Sequence, residues 1–216
     1  MNENRIEKKF VLGKYEEDFI KKILTINGFK KLFPSRYISS IYLDTLNFDF
    51  AKDNINGVGK RKKIRFRWYN EDYKNIFFEE KNKQNFVVKK NVDLLKSLQS
   101  KDNFIQNLKN YFFLENKKYK DFNYKFVLKT NYLRSYWISE NKKIRATIDT
   151  NISTSPINDL YRKLHLSETI LEFKFSQNNE SFFRNFFNIK NLNLRSKKYS
   201  KYLQSFNLLE DSNLII

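Results

Sequence analysis

Hydrophobic and polar residues alternate over much of this chain. From Arg61 to Tyr69 it reads RKKIRFRWY, with Lys63, Arg65 and Arg67 on one parity and Ile64, Phe66 and Trp68 on the other. A period of two puts these sets on opposite faces of a strand, one cationic and one apolar. The same rule places Arg5, Glu7 and Lys9 on one face of RIEKKFVL, and Glu79 and Lys81 on one face of FFEEK. Arg145 and Asp149 share a face of KIRATIDT, as do Glu172 and Lys174 in ILEFKF. Strands are predicted over residues 4–12, 37–44, 61–69, 76–81, 124–130, 132–138, 143–150 and 169–175, with a short one at 86–90. Such a sheet has a charged face and an apolar face. Closed on itself with the charged face inward, it forms a barrel lined by Lys, Arg and Glu, suited to a polyanion and a metal ion.

Helical spacing interrupts the strands. Residues 16–27 carry Phe19, Ile20, Ile23 and Leu24 at helical intervals, with Gly28 as the stop signal. Residues 92–114 read as a helical insertion broken near Ser100, packed on the barrel's outside. A helical turn is expected at 161–165, an amphipathic helix burying Phe182, Phe183, Phe186 and Phe187 at 179–189, and a last helix in KKYSKYLQSFNLL. Asn56-Gly57-Val58-Gly59 reads as a turn; Lys60 follows it, but the spacing and hydroxyl residue of a P-loop are missing. No internal repeat or Pro- or Gly-rich linker divides the chain. The expectation is an α+β fold, a closed antiparallel β-barrel with helices outside, forming one domain over residues 1–216.

Composition narrows the chemistry. Lys and Arg number 42 against 24 Asp and Glu, a net charge of +18 that predicts anionic partners such as phosphates, nucleic acid or anionic membrane. The absence of cysteine excludes thiolate metal sites, disulfides and cysteine nucleophiles. One histidine, His165, rules out a multi-histidine metal site and reads as a surface or satisfied residue. With 22 Phe, 13 Tyr and 2 Trp against 4 Gly and 2 Pro, the chain reads as ordered and sheet-rich. No apolar run approaches the roughly 18 to 20 residues that span a bilayer, and MNENRIEKK lacks a signal peptide's apolar core. The reading is a cytoplasmic protein without a transmembrane segment.

The lining would draw on Lys9, Lys63, Arg65, Arg67, Lys81, Arg134, Arg145, Lys174, Lys198 and Lys201. Like charges about 6 Å apart at an effective dielectric near 20 repel by roughly 3 kcal/mol per pair. A lining of this kind is relieved by a phosphate chain, gripped by the bidentate fork of Arg and the point charge of Lys. Glu172 is read as a ligand for a hard divalent cation that bridges to phosphate oxygens. Glu7 and Glu79 either do the same or pair with neighbouring cations, and Asp149 is read as structural, holding a turn.

RIEKKFVL, the run from Ser40 to Tyr69, FFEEK, YLRSYW, KIRATIDT, ILEFKF and SKKYSKYL together resemble, in order, the polyphosphate-polymerase domain of the vacuolar transporter chaperone (VTC) family. That family is a branch of the triphosphate tunnel metalloenzymes, also called CYTH-like. The Ser40–Tyr69 run and the terminal K-Y-S-K are the most specific segments. The resemblance implies a closed antiparallel β-tunnel with external helices. By matching position it implies that Lys9, Arg65, Arg67, Lys81, Arg145, Lys198 and Lys201 bind phosphate. Ser200 would contact phosphate, Glu172 would bind metal, and Lys89 or Lys90 would add a basic contact. Tunnel hydrolases usually begin Glu-x-Glu-x-Lys; here Arg5-Ile6-Glu7-Lys8-Lys9 puts arginine at the first glutamate, which favours the polymerase branch.

The resemblance therefore implies transfer of the terminal phosphoryl group of ATP to inorganic polyphosphate, with Mn²⁺ or Mg²⁺ on Glu172. Arg65, Arg67, Lys81 and Arg145 would neutralise the transferring group, and Lys198, Ser200 and Lys201 at a helix start would hold the chain. Rival readings are a hydrolase of tripolyphosphate or nucleoside triphosphates, and a non-catalytic polyphosphate- or RNA-binding module. The last needs exposed aromatics for stacking, and here the aromatics share the apolar parity, so no specific nucleic acid is expected. Some relatives work in a membrane complex, which the resemblance adds as a partner that these residues do not identify.

Overall fold

A computed structural model describes residues 5–13, 17–85, 87–95, 103–115, 119, 123–186 and 195–215. Strand β1 (Arg5–Leu12) leads into helix α1 (Glu17–Ile26), which ends where Gly28, at φ 73°, donates its N–H to the Thr25 carbonyl. There follow β2 (Phe29–Thr45), α2 (Asp49–Ile55), β3 (Lys60–Tyr69), β4 (Ile76–Gln84) and β5 (Val87–Leu95). Helix α3 (Phe104–Asn110) continues into a π-helical turn, Tyr111–Glu115. The rest comprises β6 (Tyr124–Ser139), β7 (Ile144–Pro156), β8 (Leu164–His165), β9 (Thr169–Ser176), α4 (Glu180–Phe186) and α5 (Lys201–Asp211).

Among the described residues the strands hydrogen-bond in the order β1-β9-β7-β6-β2-β3-β4-β5, with β8 on β7. The α+β class is as expected, and every register that is defined is antiparallel. The expected closed barrel is not found: the path is open, and β1 and β5 have one strand neighbour each among the described residues. Nothing in the alternation of a strand specifies closure, because an edge strand and a paired one share the same period of two.

The chain packs as two compact units, each built from separate segments. The first comprises Met1–Tyr37, Tyr132–Ser153 and His165–Ser200; the second comprises Ile38–Asn131, Thr154–Leu164 and Lys201–Ile216. In the first, Phe10 and Leu12 of β1, Ile144, Ala146 and Ile148 of β7, and Leu171, Phe173 and Phe175 of β9 all turn to one face. Ile20 and Leu24 of α1 and Phe183 of α4 pack against them, and Phe173 is wholly buried. Burying one such ring contributes about 2–3 kcal/mol. In the second unit Ile64, Phe66 and Trp68 of β3 and Ile76 and Phe78 of β4 meet Phe104 and Leu108 of α3, with Phe112, Tyr119 and Phe126 beside them. Tyr202, Phe206 and Leu209 of α5 form a further cluster with Tyr42, Ala51, Val127 and Leu128.

Several expected boundaries shift. Residues 124–130 and 132–138 join in one strand, and β2 starts eight residues before 37. Residues 92–95 are strand rather than helix, with 96–102 outside the described residues. The apolar run Val92, Leu94, Leu95 fits a helix by spacing, but its backbone pairs with Ile76–Glu79 of β4. Leu164–His165 bridges to β7 instead of making a helical turn. Phe182 and Phe183 pack in the core as expected, whereas Phe187 and the Phe186 side chain lie outside the described residues. Residues 197–200 precede α5 rather than belong to it. No described helix is long and apolar enough to cross a membrane.

Candidate functional site

Each unit carries a charged cluster on the face opposite its apolar core. In the second unit the register sets Arg65 opposite Glu79, Lys63 opposite Lys81, and Lys81 opposite Lys90. On the other side of β3, Ser40 stands opposite Arg67 and Tyr42 opposite Arg65. Glu79, 5 % exposed, is the carboxylate around which these cations gather. Its Oε2 accepts 2.6 Å from Arg65 Nε, its Oε1 accepts 2.9 Å from Lys90 Nζ, and Arg67 Nη1 lies 4.0 Å away. Arg67 Nε also donates to Ser40 Oγ at 3.2 Å, and Arg65 Nη1 to the Tyr42 hydroxyl at 3.4 Å. Burial pushes the Glu79 carboxyl up, but Arg65, Arg67 and Lys90 outweigh it and hold its pKa down to about 2. Glu79 thus resolves toward ion pairing, and the surrounding Lys63, Arg65, Arg67, Lys81 and Lys90 far outnumber it. A surface of this kind gains by taking an anion.

Lys89 and Lys90 part company here. Lys90 shares the face of Glu79 and Lys81, while Lys89 pairs with Asn82 on the opposite face. That opposite face also holds an exception to the alternation. Glu80 is 3 % exposed within the apolar layer, accepting 2.6 Å from the Tyr119 hydroxyl and lying 3.2 Å from Lys62 Nζ. Sequence parity had no signal for it beyond the doubled Glu of FFEEK.

The first unit's cluster is more nearly balanced. Lys9 of β1 and Thr147 of β7 both stand opposite Glu172 of β9, and Glu7 and Arg145 both stand opposite Lys174. Lys174 Nζ sits 3.0 Å from Glu172 and 3.8 Å from Glu7, so one cation already lies between the two carboxylates. Burial raises the Glu172 pKa, yet Lys174, Lys9 and Arg134 together hold it below the usual carboxylate range. Arg134 grips Asp149 through two hydrogen bonds, 2.5 and 2.7 Å, and Asp149 is wholly buried. Asp149 is structural, as expected, but it anchors an arginine inside a strand instead of holding a turn. Arg134, expected among the lining cations, is committed to that pair, and Asp149 holds its guanidinium pKa above the ordinary value against the effect of burial. Arg145 is exposed on the same face.

The first unit's residues fit a hard divalent cation. Glu7 and Glu172 already share a cation, Lys174, which is 40 % exposed, and the Thr147 Oγ1 is buried without a hydrogen-bond partner among the described residues. No cluster of three or more Asp, Glu or His suited to a metal occurs among the described residues. Mg²⁺ needs only one or two carboxylates when substrate oxygens and water complete its shell. Glu79, saturated by three cations, does not fit this role.

Residues 195–200 run beside β1: Lys197 donates its N–H to the Lys9 carbonyl at 2.9 Å, and Lys9 Nζ donates to the Tyr199 carbonyl at 3.1 Å. Lys198 is exposed on this segment, Ser200 is half-buried, and Lys201 opens α5. His165 is exposed, as expected.

The fold is similar to that of several solved proteins. One is a candidate adenylate cyclase from Bacillus halodurans, with TM-score 0.57, 14 % identity, and coverage of 94 % of this chain and 98 % of that one. Another, from Hippeastrum, is a candidate adenylyl cyclase with a dominant triphosphatase activity, at TM-score 0.55, 10 % identity and coverage of 98 % and 97 %. A third, a candidate adenylate cyclase from Vibrio parahaemolyticus, matches at TM-score 0.53 and 13 % identity over 95 % and 99 %. At 10–14 % identity these likenesses define a shared fold. The chain belongs to the VTC domain family, whose model matches residues 4–210. No curated protein matches it by sequence.

Proposed function

We propose that this protein is a polyphosphate polymerase that transfers the terminal phosphoryl group of ATP to a growing inorganic polyphosphate chain. The observation that carries the reading is the VTC match over residues 4–210, joined to the cation surplus around Glu79. Phosphoryl transfer asks a protein chiefly for positioning and charge stabilisation, so Arg and Lys without a nucleophile are a sufficient toolkit. Arg65 and Arg67 are already oriented, the first by Glu79 and Tyr42 and the second by Ser40, which leaves little side-chain entropy to lose on meeting phosphate. Lys63, Lys81 and Lys90 add positive charge on the same face. Glu172 and Glu7 would hold Mn²⁺ or Mg²⁺, which supplies Lewis-acid neutralisation of phosphate oxygens when bound. Arg145 and Lys9, next to those carboxylates, would bind phosphate oxygens, and Lys198, Ser200 and Lys201 would hold the polymer.

A second reading, hydrolysis of triphosphates, draws support from the triphosphatase activity of the Hippeastrum relative by fold. Arg5 in place of the first glutamate of Glu-x-Glu-x-Lys weighs against it. The two separate by product: ATP with Mn²⁺ should yield ADP and long, acid-labile phosphate chains on a gel, whereas orthophosphate without chains would mean a hydrolase. Glu172→Ala should lower turnover at least a hundredfold with the melting temperature nearly kept, on the order expected for losing a catalytic metal's ligand. Wild-type turnover by that variant would sink the metal assignment.

A further inference from the structure

The second unit contains a hydrogen-bonded latch far in sequence from the strand cations but linked to them. Asp44, at the end of β2, is wholly buried. Its Oδ1 accepts from the backbone N–H of Thr45 at 2.7 Å and Phe50 at 2.8 Å, and its Oδ2 from Ala51 N–H at 3.0 Å. It therefore serves the first turn of α2, where Phe48, at φ 59°, offers no side-chain cap. The same Oδ2 accepts from the Tyr202 hydroxyl at 2.5 Å, across 158 residues of chain. The Tyr202 ring stacks on Tyr42, with centroids 5.2 Å apart and planes at 27°. Tyr42 in turn stands opposite Arg65, whose guanidinium carbon lies 6.0 Å from the Tyr42 ring centre. Two separate contacts of the Tyr202 side chain thus fix α5 to β2, and Tyr42 in turn touches the arginine that Glu79 holds.

We propose that Tyr202 is a positioning residue: bonded to Asp44 and stacked on Tyr42, it sets the rotation of the first turn of α5 and so the stance of the adjoining Lys201. This rests on the reading of Lys201 as a phosphate contact. A helix held at its first turn by a single ring could still roll about its axis. A ring clamped both at its hydroxyl and on its face cannot, and the neighbouring residue moves with it. Tyr202→Phe removes the hydroxyl bond and keeps the stack, so α5 stays docked through Phe206 and Leu209 while its rotation is released.

The test is a double-mutant cycle read as tripolyphosphate affinity by titration calorimetry on the full chain. Lys201→Ala and Tyr202→Phe should each weaken binding, the latter by about three- to tenfold. The double variant should bind like Lys201→Ala alone, because the hydroxyl has nothing left to position. A merely structural tyrosine would lower the melting temperature equally in both backgrounds without this coupling. Wild-type affinity in Tyr202→Phe, or the same further loss when Lys201 is already alanine, overturns the proposal while the Lys201 assignment stands. Wild-type affinity in Lys201→Ala overturns that assignment and the latch with it. Asp44→Asn, which keeps the Oδ1 acceptor for Thr45 and Phe50 but removes the oxygen that Tyr202 and Ala51 share, repeats the cycle should Tyr202→Phe fold poorly.

Discussion

At the scale of single residues, the decisive fact is what each carboxylate has for neighbours. Glu79, Glu80, Asp149 and Glu172 are all nearly or wholly buried, yet each meets a different set of partners. Glu79 gives a pH prediction. Its folded pKa of about 2 lies below its ordinary value of 4.5, so its ionised form stabilises the fold above pH 4.5, and that stability is lost as pH falls toward 2. The contribution at neutral pH is on the order of 3 kcal/mol, reduced where Lys90 is open to solvent. Glu79→Gln should flatten the melting temperature against pH across this window and lower it at pH 7, where Arg65 and Arg67 are left facing each other. A curve with the wild-type slope would mean the ion pairs do not form in solution. Which acids pair and which could share a metal was only half legible beforehand. Parity puts Glu79 and Glu172 alike on charged faces, and only the neighbouring strand tells one from the other.

For whole elements, β5 is where local pattern and tertiary pairing disagree. Val92, Leu94 and Leu95 carry a helix-like spacing, but the backbone of Ile76–Gln84 offers them hydrogen bonds that the helix would have had to find internally. Pairing won, and with it Lys89 and Lys90 were sorted to opposite faces. Lys90→Ala should therefore weaken tripolyphosphate binding by about three- to tenfold, and Lys89→Ala should change it by less than twofold, in a salt-dependent titration. Equal effects would deny the register. The amphipathic helices were easier to read: α1 buries Ile20 and Leu24 as spaced, because a helix's own periodicity decides its apolar stripe. The start of α5 was harder, since Lys197 donates its N–H to the carbonyl of Lys9 on another strand instead of beginning a turn.

For the whole molecule, a net charge of +18 means the folded state repels itself and should respond to anions. Saturating tripolyphosphate with Mn²⁺, at about a hundred times its dissociation constant, should contribute roughly 2.7 kcal/mol and raise the melting midpoint by about 5–10 °C. Sodium sulfate at matched ionic strength should give a smaller rise; an equal one would mean general screening rather than a site. Membership of the VTC family and the two-faced character of the strands were both present in the sequence. Both are local: a period of two repeats within eight residues, and motifs such as RKKIRFRWY and KYSK lie contiguous. Partners, faces and closure were decided only by tertiary structure. The Asp44–Tyr202 bond spans 158 residues and the Lys9–Tyr199 bond 190, and no neighbouring-residue preference reaches so far. The open strand order, the burial of Glu80 beneath Tyr119 and the commitment of Arg134 to Asp149 all follow from which distant segments meet, a choice made by packing the whole chain at once.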